Sequence, residues 1–413
     1  MSEQRVVITG IGMVSALGAE LETCFAAVVE GRSALAPLPP EIANRSGIPA
    51  AGWLTDFDPA DVVGRKYVKR SSRFLQFSIL AARRARADAG LSDAGYAPDR
   101  VGSVIGSAVA GMDLVTDAFA AFQRLGLRGV SPYTLPASVT NMASGVVAIE
   151  ADAQGPCYGT HASWASSGCA IGDAYGALVR GDADAMLTGG AEASFTPFTV
   201  TLLSRTGHFI RNVAATELVS RPFDKNRAGM VGSEGATVMI LERMDRARRR
   251  GAKIYAEIVG SGSAFAPTAH LSQEDQVPTM VASMRAALRD AKLDPHDVGY
   301  INAYGSAGRH ADRQETEAVK HVFGDHARKL WISSNKGAAG HLLGASGAFE
   351  AAMTAKTLQT GTVPPTANLT EPDEHCDLDY VPNSPRQRRF ETAMSNTFSE
   401  SGHCVSLVFR ACA

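Results

Sequence analysis

Residues 155–172 read GPCYGTHASWASSGCAIG, and this stretch decides how the chain is interpreted. A run of small residues around Ala162 leads from an extended segment into a stretch in which apolar residues recur at helical spacing as far as Val179. Trp164 is therefore predicted to lie near a helix N-terminus. Free backbone amides and the helix dipole at such a position stabilise a thiolate or a developing oxyanion. An indole uses neither, because it is not a nucleophile and its N–H only donates.

Further segments in a fixed order extend the pattern over the chain. They are RVVITGIGMVSALG (5–18), LPASVTNMASG (135–145), GDADAMLTGGAEA (181–193), SRPFDKNRAGMVGSEGA (220–236), INAYG (301–305), SSNKGAAGHLLGASGAFEA (333–351) and VPPTANLTEPDEHCDLDYVPN (363–383). Together they resemble the β-ketoacyl-acyl carrier protein synthases, the ketosynthases of fatty acid and polyketide assembly. The resemblance covers essentially the full chain.

Strand-like runs alternate with alanine-rich helical stretches, which indicates an α/β protein with parallel strands between helical layers. The runs lie at 5–11, 101–107, 185–192, 236–241, 253–260, 298–304, 330–334, 393–398 and 405–410. The resemblance implies the thiolase fold, two similar halves stacked as five layers in the order α-β-α-β-α. We assign the halves to residues 1–250 and 251–413. The sequence shows no strong internal repeat, so the duplication rests on the resemblance alone.

A working ketosynthase uses one cysteine and two histidines, and the resemblance places each of them on this sequence. Trp164 stands at the nucleophile position, Tyr304 at the first histidine and His341 at the second. Lys336 and Glu350 match supporting positions. A structural role for the retained residues stays open, since buried polar groups must satisfy one another whether or not chemistry follows. A tryptophan is usually a core residue, and here it would also plug the acyl pocket. We expect Trp164 to be buried, to point toward Tyr304 and His341, and to donate its N–H to an acceptor.

The family's mobile loop reads N-S-F-G-F-G-G-T-N, and residues 396–404 read NTFSESGHC. Glu400 replaces the aromatic ring of this gate, and two of the three glycines that permit its movement are missing. Three functional elements are therefore altered together. This pattern favours a natural, specialised member that does not elongate chains by itself.

Basic residues form a cluster at Arg65, Lys66, Lys69 and Arg70, predicted to lie on a helix, and Arg128 matches a further position. In related synthases this region receives the acidic carrier protein, and charge complementarity of this kind governs encounter and orientation. The resemblance therefore implies an acyl carrier protein as partner, with acyl chains delivered on its phosphopantetheine. The alternative is an ordinary solvated surface.

The composition of the chain argues against several classes of partner and cofactor. The 413 residues are 45% hydrophobic with a net charge of −2, which argues against a nucleic-acid partner. An apolar run long enough for a membrane span and a leader segment are not seen, so we expect a cytoplasmic protein without a membrane partner. Six scattered cysteines lack metal-ligand spacing, and we expect no metal or other cofactor. Cys169 is five residues from Trp164 and is a poor substitute nucleophile.

Three functions are compatible with these observations. The leading hypothesis is a non-catalytic subunit, a chain-length factor of a type II polyketide or polyene synthase. It would form a heterodimer with an active ketosynthase and shape the product tunnel, with the 181–193 segment antiparallel to its counterpart at the interface. The alternative is a carrier-protein-dependent enzyme of altered chemistry, a decarboxylase or cyclase that uses His341, Tyr304 and Glu400. A binding or scaffold role is the third.

Overall fold

The computed structural model describes residues 4–193, 195–211, 220–267 and 275–412. Its strands are β1 (Val6–Ser15), β2 (Ala36–Pro37), β3 (Ala50–Ala51), β4 (Val101–Gly106), β5 (Cys157–Thr160), β6 (Ala185–Glu192), β7 (Gly235–Arg243), β8 (Ala256–Phe265), β9 (Tyr300–Asn302), β10 (Trp331–Ser333), β11 (Thr362–Val363), β12 (Arg386–Gln387), β13 (Thr392–Phe398) and β14 (His403–Arg410). Each of the nine predicted strands is present. The additional strands are β5 and the two-residue strands β2, β3, β11 and β12.

The α-helices connect these strands and cover their faces. They are α1 (Leu21–Val29), α2 (Pro40–Ser46), α3 (Pro59–Val63), α4 (Arg73–Ala89), α5 (Met112–Leu125), α6 (Thr134–Ser138), α7 (Met142–Ala151), α8 (Ser166–Arg180), α9 (Pro197–Arg205), α10 (Met244–Arg249), α11 (Val277–Ala291), α12 (Arg309–Phe323), α13 (Lys336–Ala339) and α14 (Ser346–Thr360). No described helix is both long and apolar enough to cross a bilayer.

The duplication that the sequence hides is visible in the sheet. Ten strands run in the order β10-β9-β13-β14-β8-β1-β7-β6-β4-β5. Read outward from the centre, β1-β7-β6-β4-β5 and β8-β14-β13-β9-β10 repeat the same topology. In both halves the two outer pairings are parallel and the two inner pairings are antiparallel. The halves meet where β1 pairs with β8, with Val6 opposite Ile258.

Helices α8 and α14 lie between the two halves of the sheet, and α14 is buried from Ser346 to Leu358. Helices α4 and α7 cover the outer face of the first half, while α11 and α12 cover that of the second. This gives five layers and confirms the predicted thiolase fold. The predicted division at residues 250 and 251 falls in the connection between β7 and β8, and it stays a prediction.

One expectation about assembly is wrong. The 181–193 segment forms β6, which is hydrogen-bonded on both sides within its own sheet, to β4 and to β7. Every residue of β6 is buried. A strand whose two edges are already paired has no donors or acceptors left for another chain. The strand at this end of the sheet is β5, whose Tyr158 is 41% exposed.

Candidate active site

Trp164 lies on a sharp turn between a strand and a helix. The chain leaves β5 at Thr160, and Ser163 adopts a left-handed φ of 51°. The amide of Ala165 donates to the carbonyl of Ala162 at 3.0 Å, and α8 begins at Ser166. Trp164 therefore precedes a helix N-terminus by two residues, as predicted.

The indole of Trp164 is buried, with 9% exposure. It makes edge-to-face contacts with His341 and with Phe209, at ring-centroid distances of 6.0 and 6.3 Å. Its apolar neighbours include Leu203 and Leu343. The expected burial and the orientation toward His341 are confirmed. The expected hydrogen bond of the indole N–H is not formed with any residue that the structure describes, so that expectation is wrong.

Tyr304, His341 and Glu400 form one hydrogen-bonded cluster. The Tyr304 hydroxyl lies 3.0 and 3.1 Å from the two carboxylate oxygens of Glu400, to which it donates. The amide of Leu343 donates to His341 Nδ1 at 3.0 Å. The proton of a neutral His341 is therefore on Nε2, which donates to the Tyr304 oxygen at 3.2 Å. The backbone N–H of Leu343 can only donate, and this fixes the donor and the acceptor in the bond from His341 to Tyr304 and in the bond from Tyr304 to Glu400.

The surroundings keep both donors neutral. Burial, and then the charge of Lys336, lower the pKa of His341 well below its ordinary value. Burial, and then the charge of Glu400, raise the pKa of the Tyr304 hydroxyl well above its ordinary value. At neutral pH the site therefore presents an imidazole N–H and a phenol O–H side by side. Two such donors can stabilise negative charge that develops on an oxygen.

Lys336 and Glu350 form a buried ion pair beneath this cluster, and each is 2% exposed. The Lys336 ammonium also donates to the backbone carbonyl of Tyr304 at 2.5 Å and lies 4.6 Å from the centre of its ring. Burial raises the pKa of Glu350 to about 7, against the opposing charge of Lys336. The pair therefore fixes the position of Tyr304.

Glu315 on α12 was not predicted as part of the site. Its carboxylate accepts hydrogen bonds from the amides of Tyr304 and Gly305 at 2.9 and 2.8 Å. It also accepts from the side-chain amide of Asn396 at 3.3 Å. Burial raises the pKa of Glu315 to about 7. An acidic residue on the apolar face of α12, three residues before Ala318, is the sequence signal for it.

Glu400 lies in the short turn between β13 and β14, and its side chain is partly exposed. Its backbone carbonyl accepts from the Gln276 side chain at 3.3 Å. Within the same turn the hydroxyls of Ser399 and Ser401 are 2.9 Å apart. The turn that the sequence predicts to match the family's mobile loop is therefore held to Tyr304 through the side chain of Glu400.

The basic residues do not lie on one helix, which corrects that prediction. Arg65 and Lys66 are in a turn, and Lys69 and Arg70 are in the 3₁₀ segment Val68–Arg70. All four are exposed, and so is Arg128 in the separate 3₁₀ segment Gly126–Gly129. Their role in carrier-protein binding stays a prediction.

The thiols of Cys169 and Cys404 are held in the neutral form, which is a poor nucleophile. Burial raises the pKa of Cys169 to about 11 and that of Cys404 well above its ordinary value. Among the described residues, no group of three His, Cys, Asp or Glu side chains is arranged to hold a metal ion. The chemistry that this site can perform is therefore hydrogen bonding and proton transfer by Tyr304, His341 and Glu400.

Comparison with known proteins gives the family. The beta-ketoacyl synthase N-terminal domain matches residues 3–247, and the C-terminal domain matches residues 255–370. The 3-oxoacyl-[acyl-carrier-protein] synthase 2 of Coxiella burnetii is 38% identical over 412 residues, which are 99% of this chain and 99% of that protein.

Two solved structures cover both chains completely with a TM-score of 0.90. One is a type II polyketide synthase acyl carrier protein in complex with its ketosynthase bound to the hexaketide, at 27% identity. The other is the ishigamide ketosynthase/chain length factor, at 26% identity.

These findings correct the expectation of a non-catalytic subunit. The curated relatives are named as synthases, which are enzymes, and they align with nearly the whole chain. The expectation of a subunit without chemistry of its own is therefore wrong. The chain belongs to the beta-ketoacyl synthase family.

Proposed function

We propose that this chain is a carrier-protein-dependent enzyme that removes carbon dioxide from a malonyl-type thioester. The observation that carries the proposal is the pair of neutral donors, His341 Nε2–H and Tyr304 O–H, whose heavy atoms are 3.2 Å apart. The substrate is a thioester on the phosphopantetheine of an acyl carrier protein. Support for this carrier comes from the names of the curated relatives and from the related ketosynthase bound to a carrier protein.

The reaction follows from the two donors. The thioester carbonyl oxygen accepts from His341 Nε2–H and Tyr304 O–H, in place of their present bonds. The bond between the α-carbon and the carboxylate then breaks, carbon dioxide leaves, and the electron pair forms the thioester enolate. The α-carbon takes a proton from Tyr304. One proton from solvent is consumed for each acetyl thioester and carbon dioxide formed.

Glu400 has two roles in this scheme. In the present arrangement Glu400 accepts the hydrogen bond of the Tyr304 hydroxyl. The turn between β13 and β14 must therefore move before the hydroxyl can donate to a substrate carbonyl. When the turn closes again, the partly exposed Glu400 carboxylate takes up a proton from solvent and passes it to the Tyr304 phenolate, which restores both groups. Glu400 acting as the base of a cyclisation is the second candidate, and the identity of the product separates the two.

Condensation through an acyl-enzyme is excluded from the proposal for a chemical reason. The family's reaction needs a thiolate at the helix N-terminus, and Trp164 stands there. The enolate formed on Tyr304 and His341 has no acylated cysteine of this chain to attack. Protonation to an acetyl thioester is then the remaining outcome within one subunit.

We also propose that the chain pairs with a second ketosynthase-family subunit, in the manner of a chain-length factor, while keeping its own chemistry. The support is the set of large apolar side chains exposed on β5, α5 and α9, together with the related ketosynthase/chain length factor structure. The set includes Phe119, Phe122, Tyr158, Phe198 and Leu202. Exposed apolar side chains of this size are typical of surfaces that bind another protein chain. Native mass spectrometry of the chain co-expressed with a ketosynthase paralogue tests the pairing, and a homodimer alone would contradict it.

The decarboxylation is tested by incubating the chain with a malonyl-acyl carrier protein and following its conversion to the acetyl form by intact mass. We expect Tyr304→Phe and His341→Gln each to lower the rate by about 10²–10³-fold, because each removes one donor. Tyr300→Phe is the matched control, since it removes a buried hydroxyl that bonds to Ser333 outside the cluster. Unchanged malonyl carrier protein, or a Tyr304→Phe rate equal to that of the control, would overturn the proposal.

A further inference from the structure

A cavity of about 580 Å³ lies near the indole of Trp164. It is bordered mainly by apolar side chains from the start of α5, the segment before α7, and α9. Ala108, Val109 and Leu203 border this cavity and also pack in the apolar cluster that contains Trp164. The indole also contacts the ring of His341 edge to face. Trp164 therefore touches one member of the donor pair and packs in the cluster whose other members border the cavity.

The indole is held in this place on several sides. Phe209 and His341 contact its ring edge to face, and Leu343 belongs to the same cluster. The backbone before it is fixed as well, because Ser163 is left-handed and the Ser166 hydroxyl donates to the Ser163 carbonyl at 2.6 Å. A ring wedged in this way cannot rotate aside without breaking the contacts of a close-packed cluster.

The cavity has room for a ligand of several carbon atoms, and the indole of Trp164 packs against His341 of the donor pair. A substituent on the α-carbon of a malonyl thioester would extend from the donor pair toward Trp164. A hydrogen or a methyl group needs little room there. A longer alkyl group would need the volume that the indole fills, although the cavity beyond would accommodate it.

We propose that Trp164 is a specificity-determining residue that restricts the reacting acyl group to malonyl and small α-substituted malonyl thioesters. This inference rests on the proposed decarboxylation, whose substrate class it narrows. Replacement of the indole by a small side chain joins the cavity to the donor pair. The joined space then accepts a malonyl thioester with a medium alkyl chain on its α-carbon.

The test compares malonyl- and hexylmalonyl-acyl carrier protein as substrates of the wild-type chain, Trp164→Ala and Trp164→Leu. The leucine variant keeps an apolar side chain in case the alanine variant does not fold. We expect the wild-type chain to prefer malonyl by on the order of 100-fold in kcat/KM, and the preference to fall below about tenfold in the variants. Trp53→Ala is the matched control, because Trp53 packs in the same cluster without a ring contact to His341. Its preference should equal that of the wild-type chain.

Calorimetric binding of octanoyl-pantetheine provides a second readout that does not need turnover. The Trp164 variants should bind it, and the wild-type chain and Trp53→Ala should not. Equal turnover of both substrates by the wild-type chain would show that Trp164 does not select the substrate, while the proposed decarboxylation would still stand. Failure of the wild-type chain to decarboxylate either substrate would overturn the proposed function, and the binding measurement would then still decide whether Trp164 closes the cavity.

Discussion

The hydroxyl of Tyr304 donates to the carboxylate of Glu400 at 3.0–3.1 Å. The two residues are far apart in sequence, and the bond joins the segment after β9 to the turn between β13 and β14. The sequence motifs predict that they stand at the positions of a family histidine and of an aromatic ring. The interaction needs both side chains, since neither would make it alone.

Tyr304→Phe should release this turn. A hydrogen bond to a charged group contributes about 1.5–3 kcal/mol, so its loss should make opening of residues 399–402 about tenfold or more frequent. Hydrogen exchange of the amides in 396–404 measures this directly. Tyr300→Phe removes an equally buried hydroxyl and should leave exchange in that segment unchanged. Equal protection in Tyr304→Phe and the wild-type chain would show that Glu400 does not hold the turn.

Lys336→Met should destabilise the protein strongly, because it leaves the Glu350 carboxylate buried without a cation. Removal of one partner from a buried pair typically costs about 3–5 kcal/mol of the free energy of unfolding. Lys336 opposes the rise in the pKa of Glu350, so its removal raises that pKa above the wild-type value of about 7. The folded variant then holds a proton that the unfolded chain releases, so the loss of stability should be larger at about pH 8 than at about pH 6. Urea unfolding at both values measures it.

The matched variant is the double substitution Lys336→Met with Glu350→Gln. It removes both charges and should recover a large part of the lost stability. If the single and double variants are equally unstable, the loss comes from the contact of Lys336 with the Tyr304 carbonyl and not from the uncompensated carboxylate.

Glu315 should make stability depend on pH. Its pKa is about 7 in the folded chain against an ordinary 4.5, so the folded state binds more protons between these values. The contribution of Glu315 to the free energy of unfolding is then largest below about pH 4.5. It falls by on the order of 3 kcal/mol as the pH rises toward about 7. Glu315→Gln should remove this part of the slope in chemical unfolding at several pH values. Glu317→Gln, on the same helix and at the surface, should keep it.

Most strands of the fold were predictable because each is marked in the sequence by a local run of apolar residues. Strands such as β6 and β13 are continuous buried runs, and each was predicted to within one residue of its ends. The missed strand, β5, is four residues long and partly exposed, so it lacks the apolar run that marks the others. The repeat of the two halves survives in strand order and direction, which do not require similar side chains.

The sequence predicted which residues lie at the site, but it did not predict the hydrogen bonds between them. Motif matching placed Trp164, Tyr304 and His341, because each occupies a defined place in a short segment. The contacts of Tyr304 with Glu315 and Glu400 bring together α12 and the turn after β13, and no local pattern records such a pairing. The same is true of β6, whose place inside the sheet depends on its two neighbours.

Arg70 should contribute more to carrier-protein binding than the other basic residues near it. Its guanidinium lies 4.7 Å from the ring centre of Tyr133 and 5.6 Å from that of Tyr67, so it is already ordered in the free chain. An ordered cation loses less entropy on binding an acidic helix than a flexible lysine does. We expect Arg70→Ala to weaken the affinity for an acyl carrier protein by about tenfold and Lys69→Ala by about two- to threefold, measured by calorimetry at physiological salt. Equal losses of affinity would show that the contact of Arg70 with the tyrosine rings does not contribute to binding. If neither variant loses affinity, the carrier protein binds at another surface.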